Sequence, residues 1–237
     1  MKKRIFLLAI LLCTAPGLLA QEFSERVAFD SSADFSIGEG TISFEPLSYI
    51  GWGYHKPVEA MDYTLQNAIN DEFFLNIVEL RASLYDRGRI TLGVDWDRDC
   101  YRLDRSFRWV TGEDRRSVAI ASRGGMDIRK SNLIVNTFSF PLGFEHEMGS
   151  WLIRADVALD CNLPAKIRAK AVNANGEKIK SVVKGIPTRT VTYHVTGTVS
   201  YGGLGLYFRY NLQPQFEEGV GPEFRAFTIG LVWGLGM

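Results

Sequence analysis

The sequence predicts an all-β protein, an eight-stranded antiparallel up-and-down transmembrane β-barrel. Three observations carry that prediction. Apolar and polar residues alternate with period two over long stretches. The connections between those stretches are short on one side and long on the other. The apolar registers carry aromatic residues towards both ends, as two membrane interfaces require.

The first element reads as an export signal. Lys2, Lys3 and Arg4 form a basic start, Ile5 to Leu12 is a continuous apolar stretch, and Pro16-Gly17 precedes a cleavage site after Ala20. The apolar stretch is shorter than the ~20 residues of a membrane-spanning helix. Residues 1–20 are expected to be removed, residues 21–39 to form an N-terminal periplasmic arm, and residues 40–237 to form the barrel. The chain has 27 basic and 27 acidic residues, and losing the three cations of the signal leaves a net charge of −3. That balance excludes a nucleic-acid binder driven by bulk positive charge and an acidic disordered chain. Cys13 goes with the signal, and the two remaining cysteines are too few for a disulfide scaffold.

Eight strands follow in order. In the first, Ile42, Phe44, Ile50 and Trp52 alternate with Thr41, Ser43, Glu45 and Gly51, less cleanly than in the others. Val78, Leu80, Ala82 and Leu84 mark the second, and Ile90, Leu92, Val94 and Trp96 the third. Phe138, Phe140, Leu142 and Phe144 mark the fourth, and Trp151, Ile153, Ala155, Val157 and Leu159 the fifth. The sixth carries Val191, Tyr193, Val195, Val199 and Tyr201, and the seventh Leu204, Leu206, Phe208, Tyr210 and Leu212. The eighth has Phe227, Ile229, Leu231, Trp233, Leu235 and Met237 on one face, with mostly Gly and Thr on the other.

Asp86-Arg87-Gly88, a turn near Gly149 and Gly202-Gly203 are the short connections. The stretches 55–70, 103–130, 162–188 and 213–223 are the long ones. Short turns are periplasmic in bacterial outer-membrane barrels. Phe144, Trp151, Tyr201 and Trp233 are expected near the short turns, and Trp52, Trp96, Tyr193 and Tyr210 nearer the long loops. A soluble secreted lipocalin-like ligand binder shares eight antiparallel strands, but its outer wall should not carry a band such as Phe138, Phe140, Leu142 and Phe144.

The polar registers point into a lumen that small barrels fill with side chains. Glu79, Arg81, Asp95, Asp97, Arg154, Asp156 and Arg209 are the candidate lumenal charge cluster. If the Asp86–Gly88 turn sets Tyr85 against Arg89, Glu79 faces Asp95, and Arg81 reaches both carboxylates. Asp95, Asp97 and Asp99 share a face. They lack the Gly and Glu of a calcium loop, so they read as charge lattice rather than metal site. His55, His146 and His194 lie in separate segments, with Asn211 expected opposite His194. No HExxH, CxxC, phosphate-loop or nucleophile-elbow pattern occurs. No catalytic, cofactor or metal residue is therefore assigned, and the protein is expected not to be an enzyme. Cys100 and Cys161 fall on strands separated by a third, ~10 Å apart, and are expected not to form a disulfide.

The third long connection is basic, with Lys166, Arg168, Lys170, Lys178, Lys180 and Lys184 against Glu177. Ile167, Ala169 and Ala171 alternate with the charges, and Asn175-Gly176 reads as a tip, so a β-hairpin above the membrane is expected. Its partners would be anionic surface groups such as lipid phosphates.

Leu84-Tyr85-Asp86-Arg87-Gly88-Arg89 leading into Leu92-Gly93-Val94-Asp95-Trp96, and Gly219-Val220-Gly221-Pro222-Glu223-Phe224 before the last strand, resemble the PorT-like outer-membrane β-barrel proteins of Gram-negative bacteria. The end of the signal and the final Gly230-Leu231-Val232-Trp233-Gly234-Leu235 belong to the same resemblance, though Met237 stands where many such barrels end in an aromatic. The resemblance implies the fold and the outer membrane, and for some members a part in protein secretion.

The sequence thus predicts a monomeric outer-membrane protein, embedded in outer-membrane lipid, with a non-enzymatic envelope or surface role. Accessory work in protein secretion, with envelope protein partners, falls within that expectation. A narrow porin-like channel is the alternative. No cofactor and no nucleic acid are expected.

Overall fold

The computed structural model describes residues 33–37, 40–58, 70–113, 116–122, 127–173 and 176–234. The predicted signal and the start of the arm lie outside the described residues. The strands are β1 (Ala33–Ile37), β2 (Gly40–Pro46), β3 (Ile50–Val58), β4 (Asn70–Tyr85), β5 (Gly88–Arg102), β6 (Phe107–Thr111) and β7 (Val118–Ser122). They continue with β8 (Asp127–Met148), β9 (Trp151–Asn162), β10 (Ala165–Val172), β11 (Lys178–Ile186), β12 (Val191–Tyr201), β13 (Leu204–Asn211) and β14 (Arg225–Trp233).

Eight of these close a ring in the order β3, β4, β5, β8, β9, β12, β13, β14 and back to β3, all neighbours antiparallel. They are the eight strands expected from the alternation. Facing residues traced around the ring from Gly88 pass through His146, Ile153, Val199, Leu206, Leu231, Trp52 and Phe73. They return to β5 at Arg98, ten residues further on. Such a stagger tilts the strands by about 35–45°. Closure leaves the ring no open edge, as lipid demands, because hydrocarbon cannot satisfy backbone polar groups.

Burial is inverted relative to a soluble protein. Inward positions are polar: Glu72, Asn76, Glu79, Arg81, Asp95, Asp97, Ser139, Arg154, Asp160, His194 and Arg209 are all buried. Outward positions are apolar and exposed, including Ile153, Val199, Leu206, Leu231 and Trp52 in one unbroken row around the wall. Water would not tolerate so extensive an apolar band. The soluble lipocalin-like alternative fails on this point. With short turns at one end and long loops at the other, the chain is an integral β-barrel protein of the outer membrane.

Two features of the register differ from expectation. The turn after β4 has two residues, Asp86 and Arg87, and Tyr85 faces Gly88. Two bulges in β4, between Asn76 and Val78 and between Ser83 and Tyr85, each advance the pairing by one residue. Glu79 therefore faces Gly93, Arg81 faces Thr91, and Asp95 faces Asn76. Trp52 faces Phe73, which faces Arg98 two residues beyond Trp96, so the stagger of the ring brings Trp52 and Trp96 to similar height on the long-loop side of the wall.

The first bulge of β4 has a companion. Between β2 and β3, Leu47 adopts a left-handed φ of 53°. Its amide donates to Ile77 O at 3.2 Å, and Asn76 N donates to Tyr49 O at 2.9 Å. β2 and β3 thus run as one bent line beside β4, with Tyr49 turned into the lumen. This bend is why the first strand alternates less cleanly. Strand β1, within the expected arm, pairs with β2 and extends the sheet at the short-turn end.

The long connections carry structure of their own. β6 and β7 form a separate hairpin, and β10–β11 form another that pairs along the first part of β8. The expected basic hairpin is therefore present, though its tip residue Asn175 lies outside the described residues. Beneath these elements Tyr101, Leu103, Trp109, Leu133, Ile167, Ile186, Phe216 and Phe224 make a buried apolar core. Trp109 Nε1 donates to Tyr101 O at 3.2 Å, and Val118 N donates to Val220 O at 2.7 Å. This core is an ordinary water-excluding one, set on top of an inverted barrel.

Cys100 on β5 faces Ile134 of β8, and Cys161 on β9 faces Phe138 of β8. The intervening strand separates them, and no disulfide joins them. Both thiols should react with maleimide in the denatured, unreduced protein. A chain that takes no label would contradict this arrangement.

Candidate functional site

The alternation of β4, β5, β8, β9, β12 and β13 drives the candidate cluster inwards, and the lumen sorts it into two layers. Near the short turns, Arg81 Nε donates to Glu79 Oε1 at 2.8 Å and its Nη1 lies 2.7 Å from Glu45 Oε2. Arg154 joins them: Nη1 lies 2.6 Å from Glu79 Oε2, and Nε lies 2.8 Å from Asp156 Oδ1. Glu145 is 3.7 Å from Arg81 and 3.3 Å from Arg89. The expected Arg81–Glu79 pair is thus present. Arg81 does not reach Asp95, because the β4 bulges carry Asp95 up to Asn76.

Asp95 lies between the layers. Asn76 Nδ2 donates to it at 2.7 Å, and the Tyr49 hydroxyl donates to it at 3.1 Å. Arg154 Nη2 donates in turn to the Tyr49 oxygen at 3.4 Å, and its guanidinium stands 5.0 Å over the Tyr49 ring. Tyr49 therefore links Arg154 to Asp95.

The second layer lies towards the long loops. Arg209 Nη1 contacts both Glu72 and Asp97, the latter at 3.1 Å. Thr228 Oγ1 donates to Glu72 Oε2 at 2.7 Å. Ser139 Oγ sits 2.7 Å from Asp97 Oδ2 and 2.6 Å from Asp160 Oδ1, and His194 Nδ1 sits 2.8 Å from Asp160 Oδ2. His194 faces Asn211, as the Gly202-Gly203 turn dictates. Ser139, Asp160 and His194 have the composition of a hydrolytic triad but not its order. The carboxylate stands between hydroxyl and imidazole, whereas a nucleophile must bond the base directly.

Little room remains. Two lumenal cavities of about 20 and 10 Å³ are found among the described residues, each enough for a water or two. Tyr207 fills much of the rest, and a Cβ on Gly230 would fall 2.5 Å from its ring. Gly230 on the inward face of β14 is what lets that ring in.

Sequence reasoning missed Glu45, Tyr49, Glu72, Glu145 and Asp160 as members of this network. Extending the alternation of β4 backwards would have put Glu72 on the outward face with Val78 and Leu80, because only the bulge at Ile77 shifts the inward face from odd to even positions. Tyr49 had no signal either, since only the bend at Leu47 turns it inwards.

The basic residues stand apart from the lumen. On the outer side of the β8–β10–β11 sheet, Lys130, Lys170 and Lys180 face one another in a row. Lys166 faces Lys184 in another, and Arg168 lies between the rows. Lys178 follows Lys180 on the same face, and β10 and β11 contain no carboxylate. The opposite face presents Ile167 and Val183 to the apolar core. Burial lowers the Lys166 pKa, and the charges of Arg168, Arg98 and Lys184 lower it further. Arg98 follows Trp96 on the outward register of β5, so this wall begins directly above the aromatic belt.

No protein-family model matches the chain, and no curated protein matches it. Among solved structures it is similar to Neisserial surface protein A, with a TM-score of 0.40 and 11% identity, over 84% of this chain and 100% of that one. It is similar to Ail, the attachment invasion locus protein of Yersinia pestis, in complex with the heparin analogue sucrose octasulfate, with a TM-score of 0.33 and 11% identity, over 83% and 99%. It is also similar to LpxR from Salmonella typhimurium, with a TM-score of 0.26 and 7% identity, over 85% and 86%.

Proposed function

We propose that this protein is a non-conducting, non-enzymatic barrel that serves the envelope through its long-loop end. Its basic wall engages phosphate groups of the outer leaflet. The observation that carries the reading is the contrast between a lumen closed by ion pairs and capped by an apolar core and an outer wall that stacks unopposed cations at headgroup height. Aromatic belts lie at the headgroup level, and Lys166, Arg168 and Lys170 begin one or two outward positions above it. A part in protein secretion, which the PorT-like resemblance implies, belongs to the same reading, with the wall or the loops as the contact for an envelope partner.

Purified protein in planar bilayers should give a flat current at both polarities. Discrete conductance steps would favour the narrow channel instead. In nanodiscs, the Lys166→Gln, Arg168→Gln, Lys170→Gln, Lys180→Gln variant should lose most of the wild-type retention of a bisphosphorylated glycolipid, with its barrel fold unchanged. Equal retention of the dephosphorylated lipid, or by the variant, would remove the phosphate-binding role.

A further inference from the structure

The upper layer of the lumen holds more negative charge than its cations neutralise. Glu72, Asp97, Asp99 and Asp160 gather there, and Arg209 bonds Glu72 and Asp97 while His194 bonds Asp160. Asp99 has no Arg or Lys within ion-pair distance among the described residues. Its neighbour is His55, whose Nδ1 lies 3.7 Å from Asp99 Oδ1.

His55 is the second, independent observation. It is fully buried, at 0% exposure, and neither ring nitrogen has a hydrogen-bond partner among the described residues. Its ring packs 4.5 Å from that of Tyr101, the floor of the apolar core. A buried imidazole normally finds a partner for at least one nitrogen, since leaving it unpaired costs free energy. Here it points at two carboxylates instead. One ligand atom each from His55, Glu72 and Asp99 lies within 4.8 Å of the others. Tetrahedral zinc ligands stand about 3.4 Å apart, given metal–ligand distances near 2.1 Å. Small side-chain rotations would close the triangle. Thr228 already fixes one oxygen of Glu72, as an outer-shell partner does at metal sites.

We propose that His55, Glu72 and Asp99 bind one divalent first-row transition-metal ion, of the zinc or manganese kind. One imidazole nitrogen with two carboxylates suits such an ion, whereas calcium and magnesium prefer all-oxygen sets. The ion would supply the missing positive charge at Asp99 and give the imidazole a partner. It would also tie β3, β4 and β5 together just below the apolar cap. Its ligands come from three neighbouring strands, so it binds only where β3, β4 and β5 are paired.

The test uses the full protein refolded in detergent, stripped with a chelator, and titrated with Zn²⁺ or with Mn²⁺. One ion per chain should be retained after desalting, and the melting temperature should rise on loading. Asp99→Asn and His55→Gln should each weaken binding at least ~10-fold, whereas His146→Gln at the short-turn rim should leave it unchanged. Asp99→Asn removes a buried charge, so that variant is expected to fold, and the heat-modifiable gel shift of a folded barrel verifies it. Retention of the ion by folded Asp99→Asn would overturn the assignment. So would its loss in His146→Gln, or the absence of stoichiometric binding by wild type. If Asp99→Asn stabilises the barrel while neither metal affects wild type, protons neutralise the cluster and the site is not a metal site.

Discussion

Replacing Arg154 with alanine is expected to destabilise the barrel by about 3–5 kcal/mol, the cost of stranding buried charges when one partner is removed. The Arg154 side chain is 2% exposed, and it bonds Glu79, itself fully buried, and Asp156 together. Without it, Glu79 keeps only Arg81, and Asp156 loses the cation that its Oδ1 meets. Water entering the space that the guanidinium vacates solvates the two confined carboxylates less well than the cation paired them. Removing the carboxylate charge should therefore restore much of the stability: Arg154→Ala with Glu79→Gln and Asp156→Asn should fold better than Arg154→Ala alone. Arg102→Ala is the contrasting case. Its pair with Asp71 lies at the rim, with side chains 38% and 29% exposed, and its loss should cost about 0–1 kcal/mol. Urea titrations of refolding into lipid vesicles would measure all three. If the loss at Arg154 matches that at Arg102, the lumen is hydrated and the network contributes little.

The same residues show how far the sequence could be read. Period two survives translation into structure wherever a strand is regular, so β8, β9, β12, β13 and β14 and their two faces were legible. A register is a relation between two strands, and a bulge alters it without changing either strand's composition. Ile77 and Leu84 look like ordinary alternating residues, yet each is passed over in the pairing of β4 with β5. That is why Arg81 was expected to reach Asp95 as well as Glu79 and is found at Glu79 and Glu45. The apolar cap was illegible for a related reason. Trp109, Phe216 and Phe224 come from connections far apart in the chain, and only the closed ring brings them together over Tyr101. His55 and Glu72 meet across the β3–β4 pairing, and Glu72 faces inwards only because the bulge at Ile77 reverses the parity of β4.

Leu231→Arg should cost about 2–4 kcal/mol, the penalty for a cation on the lipid face near the bilayer midplane. Leu231 is 37% exposed on the outer wall. Its facing residues, Leu206 and Trp52, are exposed on the same wall, and Ile229 and Trp233 lie above and below it. An arginine there has no carboxylate to reach along the wall and must displace lipid or stretch towards an interface. Depth is the discriminating variable. Leu163 lies one outward position above Cys161 and is 42% exposed, close to the basic wall and the headgroups. Leu163→Arg should therefore cost only about 0–1 kcal/mol, as charges do near the interfaces. A soluble barrel would make no such distinction, since exposed leucines in water tolerate arginine within about ±0.5 kcal/mol. Refolding titrations in vesicles of both variants, with Leu206→Arg as a second deep site, decide between the two. Equal and small costs at Leu231, Leu206 and Leu163 would mean that this apolar wall faces something other than lipid.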